Sequence, residues 1–286
     1  MITPSIARAA CFLAILGTAE IAHAESDAKN IVAIGGSVTE IVYALGEEDR
    51  LIARDTTSVF PAEATKLPDV GYIRALSPEG VLSINPDMIL ALEGSGPPEA
   101  FEVLKKASVP VVTIPESYDR AGIVAKIRAV GGALGVDGKA AALAARVEDD
   151  VRTAQKLAAK KADAKRVLFV LSLNGGRVMA AGARTGAAAI IEMAGGENAV
   201  SNIDGYKQIT DEAVIAAAPD IILMMTRTGN HPLDEETVFA HPALAATPAA
   251  ENRAIVQMGG QYLLGFGPRT AEAIRDLSIA FNGDTQ

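Results

Sequence analysis

The stretch LSPEGVLSINPDMIL at Leu76–Leu90 returns as ITDEAVIAAAPDIIL at Ile209–Leu223, 133 residues later and without a gap, with six of fifteen positions identical. Each copy opens on a hydroxyl residue suited to cap a helix (Ser77, Thr210) and carries a glutamate at the second helical position (Glu79, Glu212). Each is then stopped by a proline (Pro86, Pro219) and runs into an apolar strand. A helix-to-strand unit used twice predicts two similar α/β lobes, and two lobes enclose a cleft. Open α/β sheets take ligands beyond the carboxyl ends of their strands, so the pattern implies a binder with its ligand between the lobes.

Before the first copy, Ile31–Gly35 is a β-rich run that meets Gly35-Gly36-Ser37, and Val38–Leu45 follows with apolar residues at helical spacing until Gly46. Leu51–Asp55, Met88–Leu92 and Val109–Ile114 read as further strands, and Ser77–Asn85 and Pro98–Ala107 as helices. Strands alternating with helices predict a mostly parallel sheet. From about Arg120 to Asp163 the β-rich runs stop. Gly131-Gly132 and then Gly135 and Gly138 interrupt this region, leaving Lys139–Lys161 as one helical stretch. At about 35 Å it is long enough to join the lobes, or else it lies solvated within one of them.

The second lobe starts with a strand at Val167–Leu171 and a turn at Asn174-Gly175-Gly176 into Val178–Ala181. A helix at Thr185–Ala194 follows, then the repeat helix Asp211–Ala218 and its strand Ile221–Met225. A Pro- and Ala-rich excursion, His231–Asn252, precedes a strand at Ile255–Met258 and a last helix at Thr270–Phe281. The expected organisation is a signal peptide at 1–24, an N-terminal α/β lobe at 25–120, a helical segment with the interlobe helix at 121–163, and a C-terminal α/β lobe at 164–286.

Residues 1–24 have Arg8, an apolar core around Ala9–Leu16 and an Ala22-His23-Ala24 cleavage site, which together read as a secretory signal. The sole cysteine, Cys11, lies inside it, so the exported chain has no thiol for a disulfide, a zinc-thiolate site or a nucleophile. The net charge is −9 and there is no Lys/Arg block, which argues against nucleic acid or an anionic membrane surface as a partner. With 4% aromatic residues and no Trp, sugar-binding and aromatic-cage sites are disfavoured.

Tyr72 and Arg74 lie in Gly71-Tyr72-Ile73-Arg74, a loop just before the first repeat helix. A phenol is a poor metal ligand until it loses its proton, and a nearby cation together with a ferric ion favours the phenolate. The same tyrosine could equally pack its ring on the lobe surface with its hydroxyl in water. Arg227 follows the strand Ile221–Met225, at the end where the cleft is expected, and its counterpart in the first repeat is Gly94. It suits a carboxylate or phenolate across the cleft, or a surface salt bridge with Glu235 or Glu236. Glu79 and Glu212 suit helix amino termini, and as a matched pair they also offer two acidic knobs to a two-fold symmetric partner. His231 and His241 make a poor zinc or copper site and read as surface loop residues. Gly35-Gly36-Ser37 lacks a P-loop lysine and a dinucleotide fingerprint, and no nucleophile elbow is present, so an enzyme is not expected.

The IVAIGGSVTEIVYALG opening, the DVGYIRALSPEGVLSINPD block, the interlobe helix and the APDIILMMTR and GFGPRT segments together resemble the periplasmic haem-binding proteins of bacterial haem ABC importers. The similarity runs from about Asn30 to Phe281, and much of it is shared with cobalamin and siderophore binding proteins; the GYxRxLSxEG block points to haem. The resemblance implies ferric haem as the transported ligand, Tyr72 as its axial iron ligand, and Arg74 and Arg227 holding the phenolate or the propionates. It also implies Glu79 and Glu212 as docking residues for an inner-membrane ABC permease with a separate ATPase, downstream of an outer-membrane haem receptor pathway. Some relatives use a second-lobe histidine for a second haem, and Val167–Ala181 contains none. A ferric-siderophore or cobalamin carrier of the same fold, or an exported enzyme on a two-lobed scaffold, are the alternatives.

Overall fold

The computed structural model of the chain describes residues 28–159, 164–226 and 235–282; the expected signal segment, Arg227 and His231 lie outside them. The first half carries β1 (Ile31–Ile34), α1 (Gly36–Ala44), β2 (Leu51–Arg54), α2 (Pro78–Leu82), β3 (Met88–Leu92), α3 (Pro98–Lys106) and β4 (Val111–Ile114). Its four strands form a parallel sheet in the order β2-β1-β3-β4. Every residue of β1 is buried, as a central parallel strand covered on both faces requires.

Two helices follow, α4 (Arg120–Leu134) and α5 (Asp137–Ala158). The second half carries β5 (Arg166–Asn174), β6 (Arg177–Ala181), α6 (Gly186–Met193), β7 (Glu197–Asn198), β8 (Tyr206–Ile209), α7 (Asp211–Ala217) and β9 (Ile221–Thr226). Three short helices come next, α8 (Glu235–Phe239), α9 (Pro242–Ala245) and α10 (Pro248–Glu251), then β10 (Ile255–Gly259), α11 (Gly260–Leu264) and α12 (Thr270–Asn282). Its sheet runs β10-β9-β5-β6-β8 with β7 on β5, parallel on one side of β5 and antiparallel through the β5–β6 hairpin and β8.

The sequence repeat is a structural repeat. The Ser77 hydroxyl accepts the Gly80 N–H at 3.2 Å and the Thr210 hydroxyl accepts the Ala213 N–H at 3.2 Å, which caps α2 and α7 alike. Both prolines follow a residue forced to positive φ, Asn85 at 52° and Ala218 at 40°. The aspartate after each proline then fastens the central strand of its own sheet. Asp87 accepts the Lys29 and Asn30 N–H groups at 3.1 and 2.9 Å, and Asp220 accepts the Arg166 N–H at 2.9 Å.

One hydrophobic core crosses the molecule. Ile41 of α1, Ile123 of α4, Leu143 and Val151 of α5, Phe169 of β5, Ile190 of α6 and Phe281 of α12 belong to one buried cluster, so α5 is packed along its length against both halves. The long helix is therefore the interlobe helix, with one face in the shared core and the other in solvent. Gly131-Gly132 does not interrupt α4, and a Cβ on Gly131 would stand 2.1 Å from that of Ala140. Gly131 lets α4 and α5 touch, and the break falls at Gly135, in the left-handed conformation with φ 73°. His241 is buried rather than on the surface, its Nε2 2.9 Å from the Gly176 carbonyl of the β5–β6 turn.

Candidate functional site

After β2 the chain returns and lays Pro68–Gly71 along that strand's end. Arg54 N–H donates to the Pro68 carbonyl at 3.0 Å, Val70 N–H to the Arg54 carbonyl at 3.0 Å and Thr56 N–H to the Gly71 carbonyl at 3.0 Å. The Asp69 carboxylate accepts from Arg54 at 2.6 Å, the Thr56 hydroxyl at 3.1 Å and the Gly71 N–H at 2.8 Å. Gly71 sits at φ 102°, a conformation that a side chain resists. The turn closes with Ala75 N–H donating to the Tyr72 carbonyl at 2.7 Å, and Gly96 N–H holds the Ile73 carbonyl at 2.9 Å. Val70 and Leu76 are buried and Ile73 packs on the core of the first half, which turns Tyr72 and Arg74 outward. Tyr72 is 46% exposed. Arg74 forms no ion pair with a described residue.

Among the described residues only seven large hydrophobic side chains are exposed, and four of them sit on loops at the carboxyl ends of the first sheet: Val59, Phe60, Tyr72 and Tyr118. Tyr118 follows β4. Its ring stands 5.2 Å from that of Phe266 and comes within contact of Gly186, the first residue of α6 in the opposite half. Tyr206 packs edge-on to Phe169 at 6.3 Å. Burial pushes the Tyr118 phenol above its ordinary range, Glu116 adds to this, and the Arg74 charge opposes it. Burial likewise raises Tyr206, with Tyr118 adding, while the Ala187 N–H, Arg74 and Thr185 pull the other way. The Arg74 charge thus favours the ionised form of one tyrosine from each half.

Behind this opening the halves are joined by polar contacts. Arg269 clamps the buried Glu40 carboxylate with two bonds, at 3.0 and 2.9 Å, and lies 3.4 Å over the Phe60 ring. Gln261 accepts the Val59 and Phe60 N–H groups at 2.7 and 2.9 Å and donates to the Gly36 carbonyl at 2.7 Å. Gly36 leaves room for this approach, since a Cβ there would lie 2.8 Å from Gln261. The carboxyl ends of the first sheet therefore face the 259–269 segment of the second.

The sequence placed Tyr72 and Arg74 in a loop before the first repeat helix, and in the structure that loop forms a turn at Tyr72–Ala75 ahead of α2. Arg227 lies outside the described residues; Glu235, one of the surface partners considered for it, pairs with Arg253 at 2.5 Å. Glu79 and Glu212 occupy matching amino-terminal positions of α2 and α7, one on each half and fully exposed. In each case the residue's own N–H and then the capping hydroxyl, Ser77 or Thr210, hold the carboxyl below its usual range. Sequence reasoning missed Tyr118, Tyr206 and Phe266. In a chain with five tyrosines and no tryptophan, a tyrosine soon after a strand was the available signal for Tyr118.

A sequence model for the family described as periplasmic binding protein matches residues 31–262. Among solved structures, the chain is similar to the periplasmic heme-binding protein BhuT in complex with two hemes, at TM-score 0.82 and 39% identity, covering 89% of this chain and 98% of that one. It is similar to the periplasmic heme-binding protein RhuT from Roseiflexus sp. RS-1, at TM-score 0.84 and 36% identity, covering 89% and 98%. Sequence relatives include the ABC transporter substrate-binding lipoprotein YvrC of Bacillus subtilis, 26% identical over 264 residues, 91% of this chain and 82% of the relative. The vitamin B12-binding protein of Vibrio parahaemolyticus is 24% identical over 274 residues, covering 95% and 96%. Two α/β lobes on one long helix, a family match over residues 31–262 and the similarity to whole solved chains together establish that this chain belongs to the periplasmic binding protein family.

Proposed function

We propose that the protein is a non-enzymatic periplasmic carrier that takes ferric haem between its lobes and delivers it to an inner-membrane ABC permease. The observation that carries this is the gathering of exposed Val59, Phe60, Tyr72 and Tyr118 at one sheet's carboxyl end, beside an arginine with no ion pair to a described residue. A large flat apolar ligand with one metal and two carboxylates matches that combination. Tyr72 ligates the iron as phenolate, since ferric iron favours an anionic oxygen ligand. Arg74 and Arg227 hold the phenolate or the propionates, and porphyrin burial supplies most of the affinity at about 25 cal/mol per Å². The similarity to proteins named for heme supports the cargo.

Residues 1–24 direct export and are removed, 25–120 and 164–286 form the lobes, and 121–163 joins them. Glu79 and Glu212 meet basic residues on the two halves of the permease, a separate ATPase subunit supplies the energy, and haem arrives from an outer-membrane receptor pathway. The relationship to a vitamin B12-binding protein makes a corrinoid the competing cargo within the same fold. Calorimetric titration of the mature chain with haemin and with cyanocobalamin separates them. Saturable binding of haemin alone is expected, and tight binding of cyanocobalamin without haemin binding would replace the cargo.

A further inference from the structure

Lys126 of α4 is a buried lysine whose polar partners come from three places in the chain. Its Nζ lies 2.8 Å from Glu116 in the loop after β4, 3.3 Å from the Ser37 hydroxyl of α1, and 3.1 and 3.2 Å from the Gly265 and Phe266 carbonyls of the second half. The side chain is wholly buried. Phe266, although not a glycine, sits at φ 46°, a conformation that persists only where the surroundings impose it. Its ring faces Tyr118, which is two residues from Glu116, and both rings close on Gly186. One ammonium therefore grips the two loops that carry the two faces of the Tyr118–Phe266 pair.

A buried ion pair gives little net stability compared with apolar residues of the same size, but removing one partner leaves the other charge uncompensated. An expensive group at an interlobe joint needs a reason besides stability, and the loops it holds supply one. We infer that Lys126 is a positioning residue for the cargo site: it fixes the Glu116 loop and the Gly265-Phe266 segment so that Tyr118 stands ready as a wall of the cleft. This rests on the proposed cargo cleft and adds to it a residue that never meets the ligand.

The test uses the mature chain and three variants: Lys126→Arg, Lys126→Met, and Lys126→Met combined with Glu116→Leu. Lys126→Met alone strands the Glu116 carboxylate and is expected to lower stability. The double variant removes both charges and is expected to recover most of the melting temperature. For a positioning role, its haemin off-rate stays raised by about tenfold, the size of a lost aromatic contact, while the ferric tyrosinate spectrum keeps the parent's shape. Lys126→Arg, which keeps a cation at the joint, recovers part of the off-rate. Hydrogen exchange in the ligand-free double variant is faster than in the parent over both 115–119 and 264–267. A double variant with the parent's off-rate and exchange would show that Lys126 serves the fold alone and would overturn the inference. If the parent itself fails to take haemin, the cargo proposal fails and the positioning role for that cargo falls with it, while the exchange of the two loops still shows whether Lys126 holds them.

Discussion

Gly71 sets the direction in which Tyr72 leaves the sheet, and its φ of 102° is the reason for a glycine there. A Cβ at this position would meet nothing within 4 Å, so Gly71→Ala meets only a backbone cost of about 1–2 kcal/mol. We predict a corresponding fall in urea-unfolding stability together with weaker haemin binding, as the turn relaxes and swings the phenol. An alanine variant with unchanged haemin affinity would mean that Tyr72 is not held by this turn. The loop that carries Tyr72 and Arg74 was legible in the sequence from Pro68 and Gly71, whereas the bond from Gly96 that holds Ile73 was not. Lys126 was not, because it reads as one more cation on an Ala-, Lys- and Arg-rich helix while its partner carbonyl is 140 residues away. His241 was misread for the same reason: its burial is imposed by Gly176, 65 residues earlier.

The repeated helices α2 and α7 each present one glutamate, and at both ends the residue's own N–H and a capping hydroxyl favour the ionised form. A folded pKa below the usual carboxylate value keeps each knob charged as pH falls through the ordinary range, and the charge is lost only below the lowered value. Docking of the loaded protein on its permease should therefore persist at pH 5. Replacing both by glutamine should leave haemin affinity unchanged and reduce stimulation of the reconstituted transporter's ATPase by about tenfold or more. Equal stimulation by the double variant would remove these residues from the interface. Element existence was readable from hydrophobic period and from proline and glycine. What escaped were the shortest elements, β7, α8, α9, α10 and α11, together with β8, a strand with two exposed residues in its middle, and the passage of α4 through Gly131-Gly132, where Gly131 meets Ala140.

Across the whole molecule, a core continuous along α5 and a polar joint of Lys126, Gln261 and Arg269 leave little freedom for the lobes to swing. Solution scattering is expected to give nearly the same radius of gyration with and without haemin, and a clear contraction on binding would show that the joint opens. The two-lobed plan was visible in the sequence because each copy of the repeat is local, whereas the joint was not, because most of its contacts join residues far apart in the chain. Ferric haem is proposed to enter this cleft and bind through Tyr72. Haemin titrated into the mature chain and into Tyr72→Ala, followed at the Soret and charge-transfer bands, tests it most directly. A saturable high-spin ferric tyrosinate spectrum in the parent that is lost in the variant is the predicted result; identical spectra from the two proteins would contradict it.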